Sequence, residues 1–171
     1  MSDAILVLNA GSSSIKFSVF EAREGTLEPG VRGQAEGLYT RPQFMAKNAA
    51  GAVIAQNSWD EGSALGHEGG VAHIRGWVSE ELASSRLLGV GHRVVHGGLD
   101  HTQPVRLDAS VVKSLEKYIP LAPLHQPHNL TAIRAMAKVD PGLAQVACFD
   151  TAFHCSQSAA ARMFAIPRRY T

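Results

Sequence analysis

The sequence has little cysteine, no long apolar run and almost no net charge, and each shortage excludes a class of protein. Two cysteines, Cys148 and Cys155, are too few for a disulfide scaffold in 171 residues. Their spacing is neither that of a redox pair nor half of a zinc site, so two reduced thiols are expected, with Cys148 packed in a core. No apolar segment approaches the roughly 20 residues that span a bilayer, and the N-terminus lacks the basic region, apolar core and cleavage site of a secretory signal. A formal net charge of +1 argues against a nucleic-acid or membrane-surface binder. The expectation is a cytoplasmic protein whose partners are small molecules.

What is present is ordinary for a globular chain, 45% hydrophobic and 18% charged residues. At this length one domain can bury roughly 70% of its unfolded surface. The chain is organised around Ile5 to Phe20, ILVLNAGSSSIKFSVF, read as two antiparallel strands joined by the turn Asn9 to Ser14. Gly11 lets that turn bend or take positive φ, and Ser12, Ser13 and Ser14 add donors without bulk. Consecutive backbone N–H groups in such a bend converge on a point suited to an anion. Two better-known phosphate motifs do not fit. A P-loop needs glycine where Ile15 precedes Lys16, and Gly89 and Gly91 of a dinucleotide fingerprint are followed by Val94 in place of the third glycine.

Downstream, the segments at 27–38 and 43–56 alternate weakly and suggest one or two more antiparallel strands. Val71, Ile74, Val78 and Leu82 fall on one face of a helix starting near His67. Leu87 to Val95 is a buried strand. Asp108 caps a helix carrying Val111, Val112, Leu115, Tyr118 and Ile119, stopped by Pro120, and Asn129 caps another with Leu130, Ile133 and Ala137. A last strand, Gln145 to Phe149, delivers Asp150. Parallel strands joined through helices place their carboxyl ends on one side, where ligands bind. Arg93, Asp150 and the Asn9–Ser14 turn then face one cleft.

Those groups suit phosphoryl transfer, which depends on alignment and charge neutralisation. Arg93 offers a permanent charged fork to oxyanions, and Asp150 can hold Mg²⁺ directly or through water. Each has a plain alternative: an arginine at a strand end pairs with a carboxylate, and an aspartate after a strand caps the next helix. Among eight histidines, His92 and His96 share a strand face, but no ligand set is completed around them. His125, in a proline-bounded loop, is either a donor to an oxyanion or structural.

Four stretches, VLNAGSSSIKF at 7–17, GHRVVHGG at 91–98, PLAPLHQPHNL at 120–130 and CFDTAFH at 148–154, together resemble the acetate kinase (acetokinase) family. The resemblance implies the α/β fold of the acetate and sugar kinase, Hsp70 and actin group, in which two ribonuclease-H-like domains close over ATP. Residues 1–171 look like the first domain, a mixed sheet flanked by helices, with the C-terminal nucleotide-binding domain absent. By resemblance, Asn9, Ser12, Ser13, Ser14 and Lys16 contact ATP, and Arg93 binds the transferring phosphoryl group or the acyl carboxylate. Val95 and Leu124 wall the pocket for the substrate methyl, His125 stabilises transition-state oxygens, and Asp150, with Asn9, serves Mg²⁺ or Mn²⁺.

The implied reaction is reversible phosphoryl transfer between ATP and acetate, by a homodimer when the chain is complete. Propionate is the alternative acceptor, and a non-catalytic phosphate-binding half-domain the alternative role. A sugar kinase is disfavoured by HRVVHGG and PLAPLH. The sequence departs from the expected family pattern at Gln126 and His128 on the pocket rim, and at Arg168 and Arg169. It also ends at Thr171, less than halfway through a family member, so little or no activity is expected of this piece alone.

Overall fold

The computed structural model describes residues 3–82, 85–158, 160–161 and 163–170. Thr171 and the side chain of Arg168, both singled out above, lie outside what is described. Eight strands form one mixed sheet in the order β5-β4-β3-β2-β1-β6-β8-β7. Strands β1 (Asp3–Ala10) and β2 (Ser14–Arg23) make the expected hairpin, with Ala10 opposite Ile15 and Asn9 opposite Lys16. The antiparallel wing then continues through β3 (Thr26–Glu36), β4 (Gln43–Lys47) and β5 (Val53–Ser58). Three strands stand where one or two were expected. The second segment doubles back at Asn48 to Ala52, where Asn48 N–H donates to Ala52 O at 3.0 Å and Asn48 Oδ1 accepts from Ala52 N–H at 3.0 Å.

The other half of the sheet is parallel at its centre. Helix α1 (Gly66–Glu81) returns the chain to β6 (Arg86–Val94), which lies beside β1. A two-residue strand, β7 (Val105–Arg106), was not legible in the sequence because so short a segment has no periodicity; it edges the sheet against β8 (Ala144–Phe149). Helix α2 (Ala109–Glu116) begins at Asp108, whose side chain accepts from Val111 N–H at 2.8 Å. It ends before Tyr118, and a single 3₁₀ turn at Ile119–Leu121 follows. Helix α3 (Gln126–Val139) starts four residues earlier than expected, so Asn129 sits inside its first turns and caps nothing. Pro127 in the first turn costs no intrahelical bond, which is why the helix can begin that early.

All three helices cover one face of the sheet. Leu6, Leu8, Ala10, Ile15, Phe17, Val19 and Val90 are buried on that face together with Val71, Ile74, Val78 and Met136 of the helices. A second cluster joins Val94, Ala147 and Phe149 to Leu115, Leu130 and Ile133. The period of two puts Asn9, Lys16, Arg93 and Cys148 on the opposite face. This corrects the expectation for Cys148. Its partner in the ladder is Arg93, so the thiol is exposed on the open face, not packed in the core. Cys155 is also a free, exposed thiol.

Candidate functional site

The C-terminal ends of β1, β6 and β8 meet at one edge, and the side chains they deliver converge there. Arg93, one residue before the end of β6, binds Asp150 bidentately: Nε donates to Oδ1 at 2.9 Å and Nη2 to Oδ2 at 2.7 Å. Its third arm, Nη1, donates to Asn9 Oδ1 at 3.3 Å. The Asp150 carboxylate raises the Arg93 pKa still further, so the guanidinium is a fixed charge. The pair is half open to solvent, with side-chain exposures of 56% for Arg93 and 37% for Asp150. Its coulombic contribution to stability is therefore small, and its value is orientation. Both plain readings hold in part: Arg93 does pair with a carboxylate, and Asp150 does open a 3₁₀ helix, Asp150–His154.

A pocket of about 170 Å³ lies against this pair, lined by Asn9, Ala10, Gly11, Arg93, Val95, His125, Asn129 and Asp150. His125 is the residue immediately before α3, and its ring makes no hydrogen bond among the described residues. It is thus free to donate into the pocket. Ser12 and Ser13 are exposed at the tip of the β1–β2 turn, and Ser14 is partly buried at the start of β2. Gly11 does not use the left-handed region, and a methyl group there would meet Ser14 only at ordinary contact distance, 3.7 Å. Lys16 neighbours Asn9 across the ladder but lines a separate groove with Arg32, Gln34 and Lys47. Leu124 is 74% exposed and does not line the pocket, unlike Val95.

The sequence reading missed the buried polar residues that hold this edge together. Asn129 Nδ2 donates to Ala10 O at 2.8 Å, while its Oδ1 accepts from Val95 N–H at 3.1 Å. One side chain thereby ties the end of β1 to the end of β6. Gln126, fully buried, accepts from His96 N–H at 3.3 Å and donates to His96 O at 3.0 Å and Leu115 O at 3.2 Å. It shapes the loop after β6 from within. In that loop Gly98 sits at φ +64°, and a Cβ would fall 2.0 Å from the Tyr118 ring, so only glycine fits. His92 is buried and donates from Nε2 to Gln145 Oε1 at 2.7 Å, and burial pushes its pKa down to about 4. His96 Nδ1 accepts from Gly98 N–H at 2.8 Å. Both histidines weighed as zinc ligands are thus bonded elsewhere.

The sequence marks His67 only as a helix start. It falls on the same stripe as Val71, Ile74 and Val78, and a polar residue on an apolar stripe was the available signal. Its ring is buried, with Nε2 donating to Gly11 O at 2.7 Å and Nδ1 accepting from the Tyr39 hydroxyl at 2.7 Å. Burial lowers its pKa, with a further push from nearby His128.

The chain matches the model of the acetokinase family over residues 4–171. It is 46% identical to an acetate kinase of Nitrobacter hamburgensis over 169 residues, which are 98% of this chain and 42% of that protein. An acetate kinase of Rhodopseudomonas palustris is 45% identical over 173 residues, 100% of this chain and 43% of that one. Among solved structures, a propionate kinase from Francisella tularensis superposes with a TM-score of 0.81 at 33% identity, covering 98% of this chain and 42% of that chain. An acetate kinase from Porphyromonas gingivalis gives 0.77 at 29% identity, with the same coverage. The chain spans less than half the length of these relatives, and its mixed, helix-flanked sheet is the fold it shares with them.

Proposed function

The chain belongs to the acetokinase family, and from that premise we propose that it is the N-terminal ribonuclease-H-like domain of an ATP-dependent acetate kinase. The reaction is transfer of the ATP γ-phosphoryl group to the acetate carboxylate, giving acetyl phosphate and ADP. The observation that carries this reading is the Arg93 fork, held by Asp150 and Asn9 at the shared strand edge. A pre-oriented, permanently charged donor in a polar pocket stabilises charge on transferring oxygens without reorganising at the moment of reaction. The phosphate or the acetate carboxylate exchanges with Asp150 for the same guanidinium, which couples substrate entry to release of the Asp150 oxygens.

The remaining residues divide the work. The Ser12–Ser14 turn offers N–H and hydroxyl donors to the ATP phosphates, with Lys16 adding charge beside Asn9. His125 donates to oxygens on the transferring group. Val95 is the wall against which the acetate methyl rests, and Leu124, exposed in this chain, joins it when the rest of the site closes. The donor set of one carboxylate and one carboxamide oxygen fits Mg²⁺ or Mn²⁺ coordinated otherwise by water and phosphate. Among the described residues there is no cluster of three or more His, Cys, Asp or Glu that would hold an ion unaided. Asp150 and Asn9 would hold it, and when bound it neutralises phosphate charge. The complete protein is proposed to be a cytoplasmic homodimer.

Propionate is the second acceptor to test, because a propionate kinase is among the similar structures. One methylene changes discrimination by only about 1–3 kcal/mol. The test is acetyl phosphate formation by the full-length gene product with ATP, Mg²⁺ and acetate, repeated with propionate in competition. Efficient turnover of acetate supports the reading; no acyl phosphate from either acid refutes it. The 171-residue chain alone is expected to show little activity, and binding of phosphate by that chain without turnover would favour the half-domain role.

A further inference from the structure

We propose, on the phosphate-turn reading above, that His67 is a positioning residue of the phosphate site: from α1 it holds the Gly11 carbonyl inward and so aims the Ser12 N–H outward at the anion. The argument is peptide geometry. In a planar trans peptide the carbonyl of one residue and the N–H of the next point in opposite directions, so fixing one fixes the other. The Gly11 carbonyl is held at 2.7 Å by His67 Nε2. The preceding carbonyl, Ala10, is held at 2.8 Å by Asn129 of α3. Two consecutive peptide planes at the start of the turn are therefore pinned from two helices.

The turn has few restraints of its own. Gly11 N–H donates to Ser14 O at 2.8 Å, and among the described residues the N–H groups of Ser12 and Ser13 have no protein acceptor. Those are the donors an anion would take. The ring that orients them is itself fixed. The Gly11 carbonyl can only accept, which puts the hydrogen on Nε2 and leaves Nδ1 to accept from Tyr39 OH at 2.7 Å, and His128 stacks on the imidazole with centroids 5.2 Å apart and planes 15° apart. Burial keeps His67 neutral, so it acts by direction and not by charge.

The test is a split in KM in the full-length gene product. His67→Phe keeps a ring between Tyr39 and His128 and deletes the donor; His67→Gln restores a donor at similar reach. Losing one hydrogen bond to a buried carbonyl corresponds to about tenfold, so His67→Phe is expected to raise KM for ATP about tenfold. KM for acetate stays within about twofold, and His67→Gln recovers ATP to within about threefold. Should His67→Phe fail to fold, Tyr39→Phe, which removes the hydroxyl that orients the ring through Nδ1, gives the same split at about threefold. Unchanged KM for ATP, or equal rises for ATP and acetate, overturn the proposal. If the unaltered protein makes no acyl phosphate, the kinase reading fails and the anchor is decided separately with inorganic triphosphate. The Ser12 amide resonance then moves in the unaltered protein and in His67→Gln but not in His67→Phe. Equal movement in all three, or none in the unaltered protein, overturns it.

Discussion

The two halves of the sheet bury their residues by different means. In the antiparallel wing the covered face is aromatic: Phe17 stacks on Phe44 at 5.8 Å, and Trp77 tilts against both. Even a histidine there is packed as a ring. His73 meets Phe44 and Trp59 edge-on, and its buried Nε2 has no partner among the described residues. In the parallel half and at the β1–β2 turn the buried polar side chains are His67, His92, Gln126, Asn129 and Gln145, and each is hydrogen-bonded across elements. Apolar packing is non-directional and tolerates small shifts; a hydrogen bond to a chosen carbonyl does not. The wing is packed by rings, and the edge that carries Arg93 and Asp150 is tied by directed hydrogen bonds.

That contrast can be broken at several points. Arg93→Ala should lower turnover of the full-length protein by roughly 10³-fold or more while leaving its melting temperature nearly unchanged, since the side chain is exposed. Turnover within tenfold of the unaltered protein would remove Arg93 from the reaction. Phe44→Ala deletes a buried, stacked ring and is expected to cost about 3–5 kcal/mol in denaturant unfolding, with KM for both substrates preserved. A large KM change there would show that the wing also positions the site. Asn129→Ala leaves Ala10 O and Val95 N–H unpaired together, a loss of about 3 kcal/mol, and unlike Phe44→Ala it should disturb stability and KM at once. Loss of stability with intact kinetics would separate Asn129 from the site.

The smallest effect is one of pH. His92 is held neutral, with a pKa lowered by burial from 6.5 to about 4, and His67 and His73 are lowered for the same cause. Below pH 6.5 the unfolded chain takes up protons that the folded chain refuses, so stability is full above that pH and falls as pH drops towards 4. For His92 the slope approaches about 1.4 kcal/mol per pH unit within that window. Urea midpoints measured from pH 7.5 to 4.5 should decline accordingly. In His92→Leu that decline should be shallower, and an unchanged slope would place His92 outside the linkage.

Much of the fold was legible because its signals are local. Strand alternation in Ile15, Phe17 and Val19, the stripe of Val71, Ile74 and Val78, and the Asp108 cap depend on near neighbours, and all three stand in the structure. The resemblance carried by four stretches extended that reading to the family. Arg93 and Asp150 were legible as facing one cleft because each lies at the end of a strand whose parallel register brings the ends together; their ion pair was not. The turn at Asn9 to Ser14 was also correctly placed, but not what holds it.

What the sequence by itself determined is therefore most of the elements, their order and the delivery of Arg93, Asp150 and the Asn9–Ser14 turn to one edge. Only the tertiary structure decided which face the helices cover, and with it the exposure of Cys148. It also decided that Asn129 is a bolt between strands and not a cap, that Leu124 stands outside the pocket, and that His67 reaches the β1–β2 turn. The physical reason is range. Periodicity and capping are written within a few residues, whereas the bonds from His67 to Gly11 and from Asn129 to Ala10 span 56 and 119 positions and exist only once helices and sheet have packed.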